Sequence, residues 1–447
     1  MTRFSYRLFR LASALNYHLP RRLTKAGLLA LGGMVMTGAV GSDMDQSVAY
    51  QAFALLFCLL AVALIWAPFF RGQFVIQRTL PQLASVGQAF RYRVEVRNPS
   101  AHAYKDLELL EDLDDPHASY DEFAQTMRPA QAMKAFRLAP SPGPTLDLRP
   151  ANVKVAALAR LSPGGVADAE IEIMPRRRGP LRLNGLTVAR RDPLGLARGF
   201  VRVGLAQTVL VLPKRYRVPP LAFPGTRNYQ PGGVALASAI GESEEFVSLR
   251  DYRPGDPFRR IHWRSWARVG RPIVKEYQDE FFVRYGLILD TVASPAQSDL
   301  FEEAVSVAAS FACTLDTQDS LLDLLFVGSQ AFCFTSGRGL GRSEQVLEIL
   351  ASVQRNPASQ FEPLRELVLR HAPLLAACIC VFTVWDAPRQ DLVRKLRAQG
   401  LPVLTLVVAD APAEEGGRPG GEIPVQAHFL KPGRVAEGLL ELEHISV

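Results

Sequence analysis

The sequence predicts a multidomain α+β protein in three parts: a two-helix transmembrane hairpin, an immunoglobulin-like β-sandwich and a C-terminal α/β domain. Three observations carry this reading: two long uncharged runs near the N-terminus, a middle stretch where apolar and polar residues alternate, and a final third where apolar runs alternate with helical periods. A length of 447 residues, about three times that of an average domain, accommodates all three parts. Hydrophobic residues make up 48% and charged residues 21%, which supplies a sizeable core and excludes a disordered chain. The net charge of +7 comes from 51 Lys+Arg against 44 Asp+Glu, a mixed surface unlike that of a dedicated nucleic-acid binder. Five scattered cysteines form neither a disulfide framework nor a metal-ligand spacing, which fits a reducing compartment.

Residues 26–42 form an uncharged run of 17 and residues 46–70 a second of 25, against roughly 20 needed to cross a bilayer. They predict helices at about 24–42 and 47–70, following an N-terminal tail and joined by an acidic turn at 41–46. Arg3, Arg7, Arg10, Arg21, Arg22 and Lys25 precede the first run, and Arg71 and Arg78 follow the second. The positive-inside rule therefore puts both ends, and everything after residue 72, in the cytoplasm. Trp66, Phe69 and Phe70 suit the membrane–water boundary. Two buried helices of a soluble core are the competing reading, at odds with the lack of a polar face.

From residue 73 to 213 the helical period disappears. Phe90, Tyr92, Val94 and Val96 share one face of a strand that ends at the turn Asn98-Pro99-Ser100. Further strands are expected at 106–111, 153–159, 169–174, 186–189 and 208–212, with Pro/Gly clusters at 140–144 and 163–165. That density of short strands predicts the β-sandwich, without the Cys…Trp…Cys core of true immunoglobulin domains. Arg176, Arg177 and Arg178 before Gly179 read as a solvated turn, with a phosphate or lipid-headgroup contact as the functional alternative.

Residues 214–280 combine a Pro/Gly-rich connector with the densest constellation in the chain: Arg250, Asp251, Tyr252, Arg253, Pro254, Gly255, Asp256, Arg259, Arg260, His262, Trp263, Arg264 and Arg268. Arg250 and Arg253 alternate with Asp251 and Asp256 across a Pro-Gly turn, a spacing at which guanidinium forks grip carboxylates and lock an irregular loop. The cations with His262 and Trp263 also suit an anion or a planar ligand. A structural clamp, a partner surface, and acid–base chemistry by His262 with Asp251 or Asp256 all fit. No nucleophile elbow, P-loop or zinc-protease motif accompanies them.

From 281 to 447 strands and helices alternate: strands at 283–289, 321–327, 331–334, 377–384 and 402–408, helices at 299–315, 344–353, 364–371 and 389–399. Gly400 and Pro402 stop the last helix. This pattern predicts a mostly parallel sheet whose ligands bind at the C-terminal strand ends, where Asp290 and Asp386 fall. Cys378 and Cys380 alternate within an apolar run as packing residues, and 411–421 reads as a mobile loop.

The stretch RDYRPGDPFRRIHWRSWAR at 250–268, followed by VKEYQDE at 274–280, resembles the signature of the bacterial family catalogued as domain of unknown function 58. Arg177-Arg178-Gly179, Asp192-Pro193-Leu194-Gly195-Leu196 and Val211-Leu212-Pro213 are similar to upstream segments of that family. The resemblance implies a membrane hairpin, a β-sandwich and a von Willebrand factor A-like C-terminal domain at the bacterial inner membrane. It also implies partners, a MoxR-type AAA+ ATPase and a transglutaminase-like membrane protein, and names no reaction. Von Willebrand A-like folds often hold Mg²⁺ on Asp-x-Ser-x-Ser, but here Val292 replaces the first serine. Asp290, Ser294 and Asp386 are then an incomplete ligand set, and no cofactor is expected.

The expected function is that of a membrane-anchored, non-enzymatic adaptor of the cell envelope working with the AAA+ ATPase on assembly or maturation of a partner. The alternative is an enzyme acting on an anionic substrate at 250–268 with His262 as acid or base. Nucleic-acid binding is disfavoured because Asp251 and Asp256 would repel phosphate.

Overall fold

The computed structural model describes residues 2–40, 47–114, 150–219, 246–277, 283–294, 297–315, 320–337, 343–356, 361–409 and 427–444. The turn at 41–46, the cluster at 140–144, most of the connector and the loop at 411–421 lie outside the described residues. The chain divides into two units, one of Met1–Arg215, Ser294–Glu302 and Leu347–Gln354, the other of Tyr216–Ala293, Glu303–Val346 and Arg355–Val447.

The first unit opens with three helices, α1 (Thr2–Arg22), α2 (Lys25–Val40) and α3 (Ser47–Trp66), the last extended by a 3₁₀ turn at Ala67–Phe69. Helix α1 occupies what the sequence reading treated as a tail. Helices α2 and α3 pack antiparallel, with Gly33 against Leu56 and Gly38 against Phe53. Among the described residues one helix, Val48–Phe69, is long and apolar enough to cross a membrane, and only 11% of its apolar window is buried, unlike the core helix of a soluble domain. At 16 residues α2 measures about 24 Å, less than the roughly 30 Å of a bilayer core.

Nine strands follow: β1 (Val75–Thr79), β2 (Leu83–Ser85), β3 (Phe90–Arg97), β4 (Leu107–Leu113), β5 (Ala151–Val153), β6 (Ala156–Leu158), β7 (Val166–Pro175), β8 (Gly179–Arg191) and β9 (Arg198–Leu212). They form a sheet in the order β1-β3-β7-β5 and another in the order β2-β9-β8-β4-β6. One hydrophobic core joins Val94 and Val96 of β3 and Ile171 and Ile173 of β7 to Leu109 of β4, Leu183 of β8 and Val209 of β9, so this is a β-sandwich. Strands β8 and β9 run well beyond their expected lengths, and the added half of β8 alternates buried and exposed residues from Gly179 to Asn184.

Glu111 interrupts the apolar face of β4. Its carboxylate accepts from Arg78 Nη1 and from the Tyr92 hydroxyl, and both members of the ion pair have fully buried side chains. Arg78 also donates through Nε to Gln207 at 2.7 Å and through Nη2 to Leu183 O at 3.0 Å. Burial pushes the Glu111 carboxyl up, while Tyr92 and Arg78 oppose that rise.

The helices join the sandwich at the turn between β8 and β9. Asp192 folds this turn, accepting Leu194 N–H on Oδ2 at 3.0 Å and Ala197 N–H on Oδ1 at 2.6 Å. Thr24 donates its hydroxyl to Gly195 O at 2.6 Å and its N–H to Leu196 O at 2.9 Å. Two glycines permit the approach: a Cβ on Gly27 would lie 2.1 Å from Leu196 O, and one on Gly199 would lie 2.5 Å from Ala67 O. Arg198 Nη1 donates to the carbonyls of Pro20, Arg21 and Leu23 at 3.0, 3.2 and 2.9 Å, closing the end of α1. Its Nε binds Glu108 at 2.7 Å, a carboxylate that Arg191 also grips.

Arg178, expected in a solvated turn, has a side chain only 6% exposed within the first unit. It donates to Leu350 O, Val353 O and Glu302 and lies over the Phe301 ring.

The second unit holds a hairpin of β10 (Phe246–Asp251) and β11 (Ile273–Tyr277), with the short helix α4 (Trp263–Val269) between them. Its larger sheet contains β12 (Val283–Leu289), β13 (Ser320–Val327), β14 (Ala331–Ser336), β15 (Ala377–Phe382), β16 (Val403–Val408) and β17 (His428–Leu430). Their order, β14-β13-β12-β15-β16-β17, is parallel except for β14. Connecting helices are α5 (Ser298–Thr314) and α6 (Ser343–Ser352), of which Ser298–Glu302 and Leu347–Ser352 belong to the first unit, then α7 (Glu362–His371) and α8 (Ala387–Ala398), with α9 (Val435–Leu440) near the end. Leu364 and Val368 of α7 and Leu392 and Leu396 of α8 pack on Cys378, Cys380 and Phe382 of β15. Both cysteines are buried, and burial pushes the Cys380 thiol up to about 12.

Replacing Arg78 alone by Leu leaves Glu111 buried without its ion pair and should destabilise the solubilised chain by about 3–5 kcal/mol. The double variant Arg78→Leu, Glu111→Leu should recover most of that loss in a chemical denaturation series.

Candidate functional site

The signature loop is organised by Asp256. Arg253 to Asp256 is a β-turn closed by Asp256 N–H on Arg253 O at 3.0 Å. Pro254 presets the second position, and Gly255, at φ 105°, supplies the positive dihedral of a type II turn. The Asp256 carboxylate accepts Arg250 Nη1 and Nη2 at 2.7 and 2.8 Å and Arg253 N–H at 2.8 Å. The Arg250 fork, followed by that N–H, holds the carboxyl down at about 2. The loop then returns to the hairpin: Tyr252 N–H reaches Pro272 O at 3.0 Å and His262 N–H reaches Ile273 O at 2.8 Å.

Two guanidinium forks were expected, and one is present. Arg253 contributes its backbone while its side chain is exposed, and Asp251 pairs with Arg271 at 3.2 Å, both side chains being largely exposed. The structure does not bring His262 to Asp251 or Asp256 in any described hydrogen bond; its Nδ1 lies 2.6 Å from Ser265 Oγ. Beside the Arg250–Asp256 pair, the loop displays large side chains outward. Phe258 is 72% and Trp263 64% exposed, Phe258 stacks on Tyr252 and Trp263 on Trp266. Arg259, Arg264 and Arg268 are exposed around them. The arrangement presents rigid aromatic anchors within cationic surroundings.

A second constellation stands at the C-terminal ends of β12 and β15, the switch point of the sheet order, where such folds place ligands. Asp290 is fully buried there, and Asp386 caps α8. Arg389, one turn into α8, joins them: Nε and Nη2 donate to Asp290 Oδ2 at 2.9 and 2.8 Å and Nη1 to Asp386 Oδ2 at 2.5 Å. The guanidinium also lies 4.5 Å over the Phe361 ring. Burial pushes the Asp290 carboxyl up, and Arg389 opposes it. Ser294 bonds instead to Gln297, at 3.0 Å through its N–H and 3.1 Å through its hydroxyl. Among the described residues no group of three or more His, Cys, Asp or Glu side chains is placed to hold a metal. Sequence reasoning named both carboxylates and missed Arg389; its signal was a position three residues after Asp386, in the first turn of the helix.

Comparison with known proteins agrees on the loop. A family model described as protein of unknown function DUF58 matches residues 248–415. The uncharacterized protein YeaD of Bacillus subtilis (strain 168) is 28% identical over 176 residues, 39% of this chain and 42% of that protein's length. Among solved structures, the CARDB domain of PF1109 from Pyrococcus furiosus is 11% identical and aligns 31% of this chain with 93% of that one at a TM-score of 0.17. Proximal thread matrix protein 1 from the mussel byssus is 12% identical and covers 29% of this chain and 38% of its own, at a TM-score of 0.23. Superpositions at such TM-scores assign no fold.

Two outcomes follow from these contacts. Asp256 is depressed, so its contribution to holding the loop is complete above the usual Asp range and disappears as pH falls toward 2. A carboxyl NMR titration should find its midpoint near 2, rising toward the usual Asp range in Arg250→Gln while the Arg253 N–H still holds it partly down. Arg389→Ala strands Asp290 in the interior and should cost about 3–5 kcal/mol in thermal denaturation, whereas Arg253→Ala should leave the melting temperature unchanged.

Proposed function

We propose that this chain is a membrane-anchored, non-enzymatic adaptor that presents the 250–268 loop to a protein partner. The observation that carries the proposal is the contrast within that loop: Arg250 and Asp256 fix its turn, while Phe258 and Trp263 stand exposed. Exposed aromatics on a hydrogen-bonded turn, with exposed arginines next to them in the chain, have the composition of interface anchors. The partner that suits them carries an acidic surface with an apolar pocket. The family resemblance points to a MoxR-type AAA+ ATPase as that partner, with a transglutaminase-like membrane protein beside it.

In this reading α2 and α3 form a transmembrane hairpin in the bacterial inner membrane. The N-terminal helix, the sandwich and the second unit lie on the cytoplasmic side, the side that the flanking arginines favour. The sandwich is of immunoglobulin-like type. The sheet order and its lone antiparallel strand support a von Willebrand factor A-like domain in the second unit. Arg389 bridges Asp290 and Asp386 as a permanent cation, which speaks against Mg²⁺ at that place, and the adaptor reading calls for no cofactor.

One observation favours the enzyme reading, the 2.6 Å contact between His262 and Ser265. A serine-directed phosphonate probe that labels the wild type and spares Ser265→Ala would support it.

Crosslinking in native membranes followed by capture of the full-length protein separates the readings. Trp263→Ala and Phe258→Ala should each weaken recovery of the ATPase by tenfold or more, consistent with about 2 kcal/mol for an interface anchor, at unchanged melting temperature. Equal recovery from wild type and both variants contradicts the adaptor surface.

A further inference from the structure

A cavity of about 230 Å³ opens where the end of α1 meets β8 and β9, lined by His18, Arg21, Arg22, Thr187, Phe200 and Arg202. Four of its six lining residues are basic types. We propose that it is a binding site for a phosphate group, occupied in the cell by the headgroup of an anionic phospholipid.

The site is built. Arg21 is fixed by Asp112 at 2.5 Å, by the Tyr17 hydroxyl at 2.5 Å and by Glu111 O at 2.8 Å. Thr187, buried beneath the cavity, donates to the other Asp112 oxygen at 2.7 Å. Asp112 is thereby committed to Arg21 and Thr187. Arg22 and Arg202 are exposed and have no carboxylate partner among the described residues, so two guanidinium groups remain for an anion. Guanidinium forks match phosphate oxygens bidentately. His18 packs edge-on against Tyr17 and adds a ring nitrogen on the same side.

Placement identifies the source of the phosphate. Arg22 stands three residues before Lys25, where α2 begins, and Phe200 follows Gly199, on which Ala67 and Phe70 close just after the apolar α3. Both apolar helices therefore enter and leave beside this cavity. Resting on the membrane reading above, the cavity lies at the level of the cytoplasmic headgroups, where basic pockets next to spanning helices take anionic lipids.

The test is native mass spectrometry of the full-length protein in detergent, with phosphatidylglycerol or phosphatidylcholine of equal chain length added. The wild type should retain phosphatidylglycerol preferentially. Arg202→Gln and Arg22→Gln should each reduce that preference about fivefold or more at unchanged melting temperature, and Arg10→Gln, exposed on α1 but not lining the cavity, should retain it. Inorganic phosphate titrated in a melting assay forms the second arm. A rise in melting temperature that Arg202→Gln abolishes, without lipid preference, keeps the phosphate site and assigns it to a soluble anion. If neither ligand distinguishes the wild type from Arg202→Gln and Arg22→Gln, the site is overturned. Carbonate extraction of cell membranes tests the membrane reading separately, since release of the protein would refute that reading without bearing on the phosphate arm.

Discussion

The first unit depends on a backbone-to-backbone contact at the turn between β8 and β9. Within four residues, Leu196 O closes on Gly27 and Gly199 closes on Ala67 O, distances that leave no room for a Cβ at either glycine. One short turn thus receives the start of α2 and the end of α3. Asp192 shapes the turn from inside, Thr24 bonds to its rim and Arg198 holds the end of α1. A helix pair fastened at both ends to one strand connection cannot pivot freely on the sandwich. The basic cavity follows from the same join, because it sets His18 and Arg22 of the first helix and linker against Phe200 and Arg202.

Arginine recurs at several irregular or buried features among the described residues. Arg78 neutralises Glu111 inside the sandwich, Arg250 closes the signature loop on Asp256, and Arg389 bridges Asp290 and Asp386 at the sheet's switch point. Arg284 similarly pairs with the fully buried Asp323, whose other contact is the Thr335 hydroxyl. The forked guanidinium satisfies several acceptors at once, which offsets desolvation better than a point charge would. These pairs specify geometry. At the switch point the cation that pairs Asp290 with Asp386 is a side chain of the protein itself.

Much of this architecture was legible in the sequence. Periodicity located β3, β12, β13, α5 and α8 within a residue or two, because each buries one face or a continuous apolar run. Helix α1 was not legible: its arginines drew attention as topology signals, and its apolar positions are spread among them. The strands β10 and β11 were hidden in the connector because the charged loop between them dominates the local composition. At the loop, residue types foretold a guanidinium–carboxylate clamp but not which arginine makes it, since sequence cannot show that Arg253 is used through its N–H. Arg178 misled for a related reason, as a run of three arginines reads as solvated whichever one turns inward. The cavity was illegible because its residues lie 165 and more positions apart and meet only when the helix docks.

The central claim is that the helices and the sandwich form one fixed body through Gly27 and Leu196. Hydrogen–deuterium exchange of the solubilised full chain tests it most directly, comparing the wild type with Gly27→Val. The account predicts that the amides of Thr24 and Ala197 are strongly protected in the wild type and exchange faster in the variant, while β3 and β7 keep their protection. Rapid exchange at these amides in the wild type, or protection unchanged by Gly27→Val, would contradict it.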